Sequence, residues 1–112
     1  MIKWLKRFWE RGRKGYCYED LWSFDNWLSK TIAGGLREFR ANCHTYPKDC
    51  DSWEKWMATL DEMIECFEEQ TRRIDNLDGD FMKHWEKRKK NQKAKLHRGL
   101  KLLEKYYYDL WV

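Results

Sequence analysis

The chain has 112 residues, close to the usual size of one compact domain, so its length predicts a single domain over residues 1–112. Hydrophobic residues make up 42% of the chain and charged residues 38%, with a formal net charge of +4. Nothing approaches the ~18 apolar residues of a membrane span, and no apolar run follows the basic start, as one would in a signal peptide. These features predict a cytoplasmic protein without a transmembrane segment, whose four cysteines stay reduced.

Residues 1–15 are predicted to form a basic helix and a linker. The apolar residues of the helix, from Ile2 to about Arg11, recur at helical spacing: Ile2, Leu5, Phe8 and Trp9. Gly12 and Gly15 then disfavour further helix, so residues 11–15 are predicted to be a flexible basic connector. Such a connector would let the first helix move independently.

A second helix is predicted from about Tyr18 to Ala41. Its apolar stripe recurs every three or four residues: Leu21, Phe24, Leu28, Ile32, Leu36 and Phe39. Residues 42–52 contain the only proline and several turn-forming residues, so they are predicted to be a loop.

A third helix is predicted from Trp53 to about Arg73, ending near residues 75–79. Asp51 and Glu54 have the spacing of a capping box at its start. Glu68 with Arg72 and Glu69 with Arg73 are favourable pairs four residues apart. The predicted core stripe comprises Trp53, Trp56, Met57, Leu60, Met63, Ile64 and Phe67.

The last predicted helix begins near Asp80 and is long and basic. Its apolar stripe is interrupted by Arg88, Gln92 and Lys95, with a break near Asn91 left open. The stripe resumes at Leu96, Leu100, Leu103, Tyr107 and Leu110, while Tyr106, Tyr108 and Trp111 are expected to be partly exposed. The fold class predicted is all-α: a small helical bundle of three main helices plus a short N-terminal basic amphipathic helix and a long C-terminal basic helix.

Charge is strongly segregated along the chain. Residues 53–80 carry nine acidic and three basic side chains, whereas residues 81–98 carry eight basic side chains and one acidic. The basic stretch contains the candidate nucleic-acid-binding or partner-binding residues: Lys83, Lys87, Arg88, Lys89, Lys90, Lys93 and Lys95. Two interpretations stay open. The helix contacts phosphates, or it pairs with the acidic helix of its own or a neighbouring chain. Pairing between neighbouring chains would form a homo-oligomer.

Asp25 breaks the apolar pattern of the second helix, because it lies in the stripe one turn from Leu21. An unpaired carboxylate there needs a partner, either within the core or in a bound ligand. Trp22 flanks the stripe and would form a wall of such a pocket. With Trp85 and Arg88 they make a candidate ligand site of aromatic and charged groups, suited to stacking and phosphate contact: Trp22, Asp25, Trp85 and Arg88.

No catalytic or cofactor motif is recognisable, since the chain lacks a nucleophile elbow, a P-loop and a glycine-rich dinucleotide motif. Cys43, His44 and Cys50 do not have the spacing of familiar zinc knuckles. The protein is therefore predicted not to be an enzyme, and no metal or cofactor is expected.

Two segments resemble a widespread group of small uncharacterised bacteriophage proteins. In that group a Trp-x-x-Asp helix precedes a Tyr-Pro loop and a Trp-rich helix ending in Leu-Asp-x-Met-Ile-x-x-Phe-Glu. The matching positions here are Trp22, Asp25, Tyr46, Pro47, Trp53, Trp56, Leu60, Asp61, Met63, Ile64, Phe67 and Glu68. The resemblance covers about half the chain. It implies a phage accessory protein in the infected host cell. The surplus of aromatic side chains together with Arg and Lys favours a binding protein that antagonises a host function, antiviral defence above all, by binding a host protein or sequestering a nucleotide-like signal.

Overall fold

The computed structural model describes residues 2–72 and 81–111, with side chains for residues 2–72 and 85–111. Along these residues lie α1 (Lys3–Lys14), α2 (Phe24–Ala41), α3 (Trp53–Glu69) and α4 (Phe81–Tyr106). Short 3-10 helices precede α2 at Tyr18–Ser23 and follow α4 at Tyr107–Asp109. The described ranges contain no strand, which confirms the all-α prediction. None of their helices is long and apolar enough to cross a membrane.

α1 continues through Gly12 to Lys14, where the sequence predicted a flexible connector. Gly15 ends the helix in the left-handed conformation, with φ of 86°, which glycine adopts without steric cost. Its N–H donates to the Arg11 carbonyl at 2.8 Å and so satisfies a group at the end of the helix. The predicted connector over residues 11–15 is therefore wrong.

The segment predicted as one helix from Tyr18 starts instead with the 3-10 helix, and α2 begins at Phe24. Two carboxylates satisfy the backbone at this start. Asp20 Oδ2 accepts the Cys17 N–H at 2.8 Å, and Glu10 Oε2 accepts the Tyr18 N–H at 2.8 Å. Because Glu10 belongs to α1, the 3-10 helix is attached to α1.

α3 lies between α2 and α4 and supplies most of the core. Five residues of its predicted stripe are buried, namely Trp56, Leu60, Met63, Ile64 and Phe67. They pack in one cluster with buried residues of the two neighbouring helices: Ala33, Leu36, Leu102 and Tyr106. No described Cα atoms of α2 and α4 lie within 8 Å of each other. The molecule is accordingly flat, with extents of 46 × 45 × 19 Å.

The N-terminal half of α2 extends beyond its partner helix, which corrects the predicted stripe. Arg40 pairs with Asp61 and Arg37 with Glu68, so α2 and α3 run antiparallel. Because α3 ends at Glu69, the earlier turns of α2 have no α3 residues beside them. Ile32, Leu36 and Phe39 pack as predicted, whereas Leu21, Phe24 and Leu28 are 45%, 44% and 42% exposed.

Ser52 caps α3, one residue after the predicted cap. Its Oγ accepts the Lys55 N–H at 3.2 Å, while Asp51 pairs with the Lys55 ammonium group at 2.9 Å. The predicted start at Trp53 is confirmed. At the other end the helix stops at Glu69, before the predicted Arg73, and the predicted chain stop at 75–79 lies outside the described residues.

α4 is one continuous helix through Asn91, and Leu96 and Leu103 of its predicted stripe pack on the core, but its most buried face differs from the predicted one. Gln92, Gly99, Leu102 and Tyr106 are buried, whereas Leu100 and Tyr107 are exposed. Gly99 explains the difference, because a Cβ atom there would lie 2.8 Å from the Cβ of Cys66 and 3.2 Å from Cε2 of Phe67. The glycine lets the two backbones approach, so the helix turns this residue toward α3.

The C-terminal aromatic residues that are buried are not the ones that the sequence predicted. Tyr106 is 5% exposed and its ring packs against Trp56 with centroids 5.2 Å apart. Its hydroxyl lies 3.6 Å from Cys50 Sγ, and because the hydrogen bond between them and burial both favour the protonated hydroxyl, the pKa of Tyr106 is raised to about 12. Tyr107 is 61% exposed, although the sequence predicted it to pack. Tyr108 and Trp111 are exposed and Leu110 packs on the core.

Alanine at position 99 should destabilise the fold, because the added Cβ overlaps Cys66. Overpacking of this kind costs about 1–3 kcal/mol, against a gain of up to about 1 kcal/mol from the better helix propensity of alanine. We expect Gly99→Ala to lower the free energy of unfolding measured in urea. Gly34→Ala is the matched control, since no atom lies within 4 Å of its Cβ position. An increase in stability for both variants would contradict the close approach.

Candidate functional site

The acidic side of α3 and the basic helix α4 pair within the chain. Glu69 is at the centre, with a side chain only 1% exposed. It contacts the guanidinium group of Arg72, lies 2.5 Å from Arg88 and lies 3.8 Å from Lys95. Cations from α4 and from the segment just after α3 therefore compensate one buried carboxylate.

Ion pairs nearer the surface continue this contact. Glu65 lies 3.0 Å from Arg72 and 3.4 Å from Lys95, and the hydrogen bond from Arg72 lowers the pKa of its carboxyl group. Glu62 and Arg98 lie 2.6 Å apart. Arg88 and Lys95 of the basic helix thus pair with the acidic helix of their own chain, which is one of the two interpretations that the sequence left open.

The polar interruption in the α4 stripe also has a structural role. The side chain of Gln92 is buried and donates to the carbonyls of Glu69 and Arg72, at 3.0 and 3.1 Å. Gln70 donates in return to the Gln92 carbonyl at 2.7 Å. The last turn of α3 leaves carbonyl groups without helical partners, and Gln92 donates to the Glu69 carbonyl there and to the Arg72 carbonyl three residues beyond the helix.

The other lysines of the predicted binding stretch point to solvent. Lys87, Lys89, Lys90 and Lys93 are exposed, and no carboxylate of residues 2–72 or 85–111 lies within 4.0 Å of them. The side chain of Lys83 lies outside the described set. The predicted cluster is therefore divided into a paired group and an exposed group.

At the C-terminal end of α3, α2 and α4 face each other across an open groove of about 400 Å³. Its floor includes Phe67 of α3 and Gln70, the residue that follows α3. Four aliphatic side chains line it, two from each flanking helix: Leu28, Ile32, Leu96 and Leu100. Charged side chains line the same groove, with Asp25 on the α2 side and Lys89 and Lys93 on the α4 side. We call this feature the α2–α4 groove.

The four predicted ligand-site residues do not form one site. Asp25 is exposed, so it needs no buried partner, but it does line the groove as the pocket interpretation proposed. Trp22 is 74% exposed and packs edge-on against Tyr18, and Trp85 is 37% exposed. Neither tryptophan is among the groove residues, and Arg88 is bound to Glu69.

Sequence reasoning missed Leu28, Leu100 and Gln92 as groove residues. The first two were assigned to the core, because apolar periodicity does not show that α3 ends before it reaches Leu28 or that Gly99 turns α4 so that Leu100 is exposed. A signal for Gln92 was present, because a polar residue between apolar turns and opposite an acidic helix needs hydrogen-bond partners.

The cysteines have structural surroundings. Cys17, Cys50 and Cys66 are buried and free, and burial raises the pKa of the Cys66 thiol. Cys43 Sγ accepts a hydrogen bond from Trp56 Nε1 at 3.3 Å. Within the described ranges no three or more His, Cys, Asp or Glu side chains are grouped as a metal site.

Replacing Glu69 should weaken the contact between α3 and α4. Glu69→Gln keeps the shape but removes the charge that Arg72, Arg88 and Lys95 share, so we expect a loss of about 1–3 kcal/mol in the free energy of unfolding. Glu104→Gln is the control at an exposed position of α4. Urea denaturation of both variants measures the difference, and equal stabilities would show that the buried pairing contributes nothing.

No protein-family model, curated protein or solved structure matches this chain. The resemblance to small bacteriophage proteins stays a prediction from the residues that carry it. The functional interpretation therefore depends on the groove and on the exposed charges around it.

Proposed function

We propose that this protein is a non-enzymatic bacteriophage accessory protein that antagonises a host function by binding a host protein in the α2–α4 groove. Antiviral defence is the host function we favour. The observation that carries the proposal is the groove itself, an aliphatic channel between two helices with charged side chains on both sides. Grooves of this kind bind the apolar face of a partner helix.

The groove suits a protein segment better than a nucleotide-like signal. Its exposed walls are aliphatic, and its aromatic residue, Phe67, is 2% exposed. Trp22 and Trp85, the tryptophans of the predicted ligand site, do not line it. A nucleobase would therefore lack a ring to stack on, whereas Leu28 and Leu100 offer surface to apolar anchors.

Charge indicates the chemistry of the segment. Lys89 and Lys93 lie on the α4 side without a described carboxylate within 4.0 Å, and Asp25 lies on the α2 side. An amphipathic helix with acidic residues toward α4 would complement this arrangement. The partner proposed is thus a host protein that presents an acidic amphipathic helix.

Groove variants test this proposal. We expect Lys89→Glu with Lys93→Glu, and separately Leu28→Asp, to weaken binding of a captured host protein at least about tenfold, or about 1.4 kcal/mol. Lys101→Glu, at an exposed position of α4 outside the groove, should bind as the unchanged protein does. The measurement is capture from host lysate, followed by calorimetry with the purified captured protein.

Equal binding by the groove variants and the control would exclude the groove as the binding site. A rise in melting temperature with nucleotides, lost in the same groove variants, would favour the nucleotide-like signal instead. Absence of both a captured protein and a nucleotide effect would contradict both versions.

Binding of nucleic acid through α4 is the second candidate, because Lys87, Lys89, Lys90 and Lys93 are exposed. Four phosphate contacts predict that log affinity for duplex DNA falls with log salt concentration with a slope of about −3.6. Lys87→Gln with Lys90→Gln should halve that slope, and Lys101→Gln should leave it unchanged. Fluorescence anisotropy at several salt concentrations measures it, and a flat dependence would exclude this function.

Self-association through the acidic and basic helices remains a third prediction. The structure places Glu62, Glu65 and Glu69 against cations of the same chain, which leaves fewer charges for a neighbouring copy. The groove is therefore the better supported binding surface.

A further inference from the structure

We propose that α1 binds the surface of an anionic lipid membrane, with its apolar face among the lipids and its basic side chains at the headgroups. This interaction is separate from the α2–α4 groove and goes beyond the proposed function. Three observations carry it: the segregation of side chains on α1, the face by which α1 is attached, and the charge beside its apolar face.

The side chains of α1 are completely divided between two faces. At about 100° per residue, Trp4, Leu5, Phe8 and Trp9 occupy an arc of about 140°. The charged residues all lie outside that arc: Lys3, Lys6, Arg7, Glu10, Arg11, Arg13 and Lys14. A basic helix with Trp, Phe and Leu on the opposite face is typical of helices that lie in a membrane interface.

The protein holds α1 by its polar face. Arg11 pairs with Asp20 at 2.7 Å and Arg7 with Glu19 at 3.6 Å. The guanidinium group of Arg11 lowers the pKa of the Asp20 carboxyl, which therefore remains charged at neutral pH. Glu10 adds the hydrogen bond from the backbone of Tyr18. An amphipathic helix of a folded domain ordinarily buries its apolar face, and here the attached face is the charged one.

The apolar face is consequently uncovered. Trp4 is 61% exposed, Phe8 73% and Trp9 66%, and α1 has no buried residue. The recess beside Leu5, Phe8 and Trp9 is lined by residues of α1 alone. So much adjacent aromatic surface marks an interaction site.

The basic side chains of α1 that lie near no described carboxylate favour a lipid surface over a second copy of this chain as the binding partner. Lys3, Lys6, Arg13 and Lys14 have no carboxylate of the described residues within 4.0 Å. Two α1 helices facing each other would bring these like charges together, whereas anionic headgroups would neutralise them. The charge therefore indicates an anionic occupant.

The convex shape of α1 and the positions of its indole rings favour a bilayer over an acidic protein. Trp4 and Trp9 stand at the two edges of the apolar arc, with Leu5 and Phe8 between them. Indole rings prefer the boundary between hydrocarbon and headgroup, because one side of the ring is apolar and its N–H is polar. A bilayer also accepts a convex helix without a matching groove.

Flotation of the full-length protein with vesicles tests the proposal. We expect binding to vesicles of equal parts phosphatidylglycerol and phosphatidylcholine to be at least tenfold stronger than binding to phosphatidylcholine alone. Phe8→Ser with Trp9→Ser should reduce binding at least tenfold. Tyr108→Ser with Trp111→Ser is the matched control, since these rings are 88% and 73% exposed at the other end of the chain. Circular dichroism should show equal helix content in all variants.

Failure of the unchanged protein to bind the phosphatidylglycerol vesicles would overturn the proposal, as would equal loss in the two serine pairs. Loss of flotation in Lys89→Glu with Lys93→Glu, but not in Phe8→Ser with Trp9→Ser, would assign lipid binding to α4 instead. Sedimentation of the protein without vesicles tests whether the apolar face of α1 binds a second copy of the chain instead. A dimer that the Phe8 and Trp9 changes abolish, in a protein that does not float, would assign the apolar face to self-association.

Discussion

Glu69 is the last residue of α3, and its carboxylate is buried at the end of the helix where the dipole is negative. A carboxylate there is costly without compensation. Arg72, Arg88 and Lys95 gather around it, the last two from α4. The requirement to neutralise one charge therefore brings the middle of a very polar helix against the core.

The same region determines where the groove lies. Gln92 donates to the carbonyls of Glu69 and Arg72, and the turns of α4 that precede Gln92 extend past the point where α3 stops. α2 also extends past the end of α3, on the other side, because its antiparallel packing places Arg37 beside Glu68. Because the two flanking helices do not contact each other, they leave a channel at this end of α3, and the buried ring of Phe67 forms part of its floor.

Two exposed apolar surfaces result, and they differ in kind. The α2–α4 groove is concave and bordered by both charge signs, so it is suited to a shaped partner. The apolar face of α1 is convex and flanked by cations, so it is suited to a surface that adapts to it. The ion pairs from Arg7 and Arg11 orient that face away from the rest of the chain.

The sequence by itself determined that there are four helices, though not where each begins and ends, together with the stripe of α3 and the two faces of α1, because each depends on spacing within one segment. Only the tertiary structure decided which faces are covered. Leu28 has the spacing of a core residue but lies past the end of α3, and Asp25 beside it is exposed for the same reason. Tyr106 replaced Tyr107 in the core because Gly99 turns α4 toward Cys66. Coverage depends on where a neighbouring helix ends and how closely two backbones approach, and periodicity along one segment contains neither quantity.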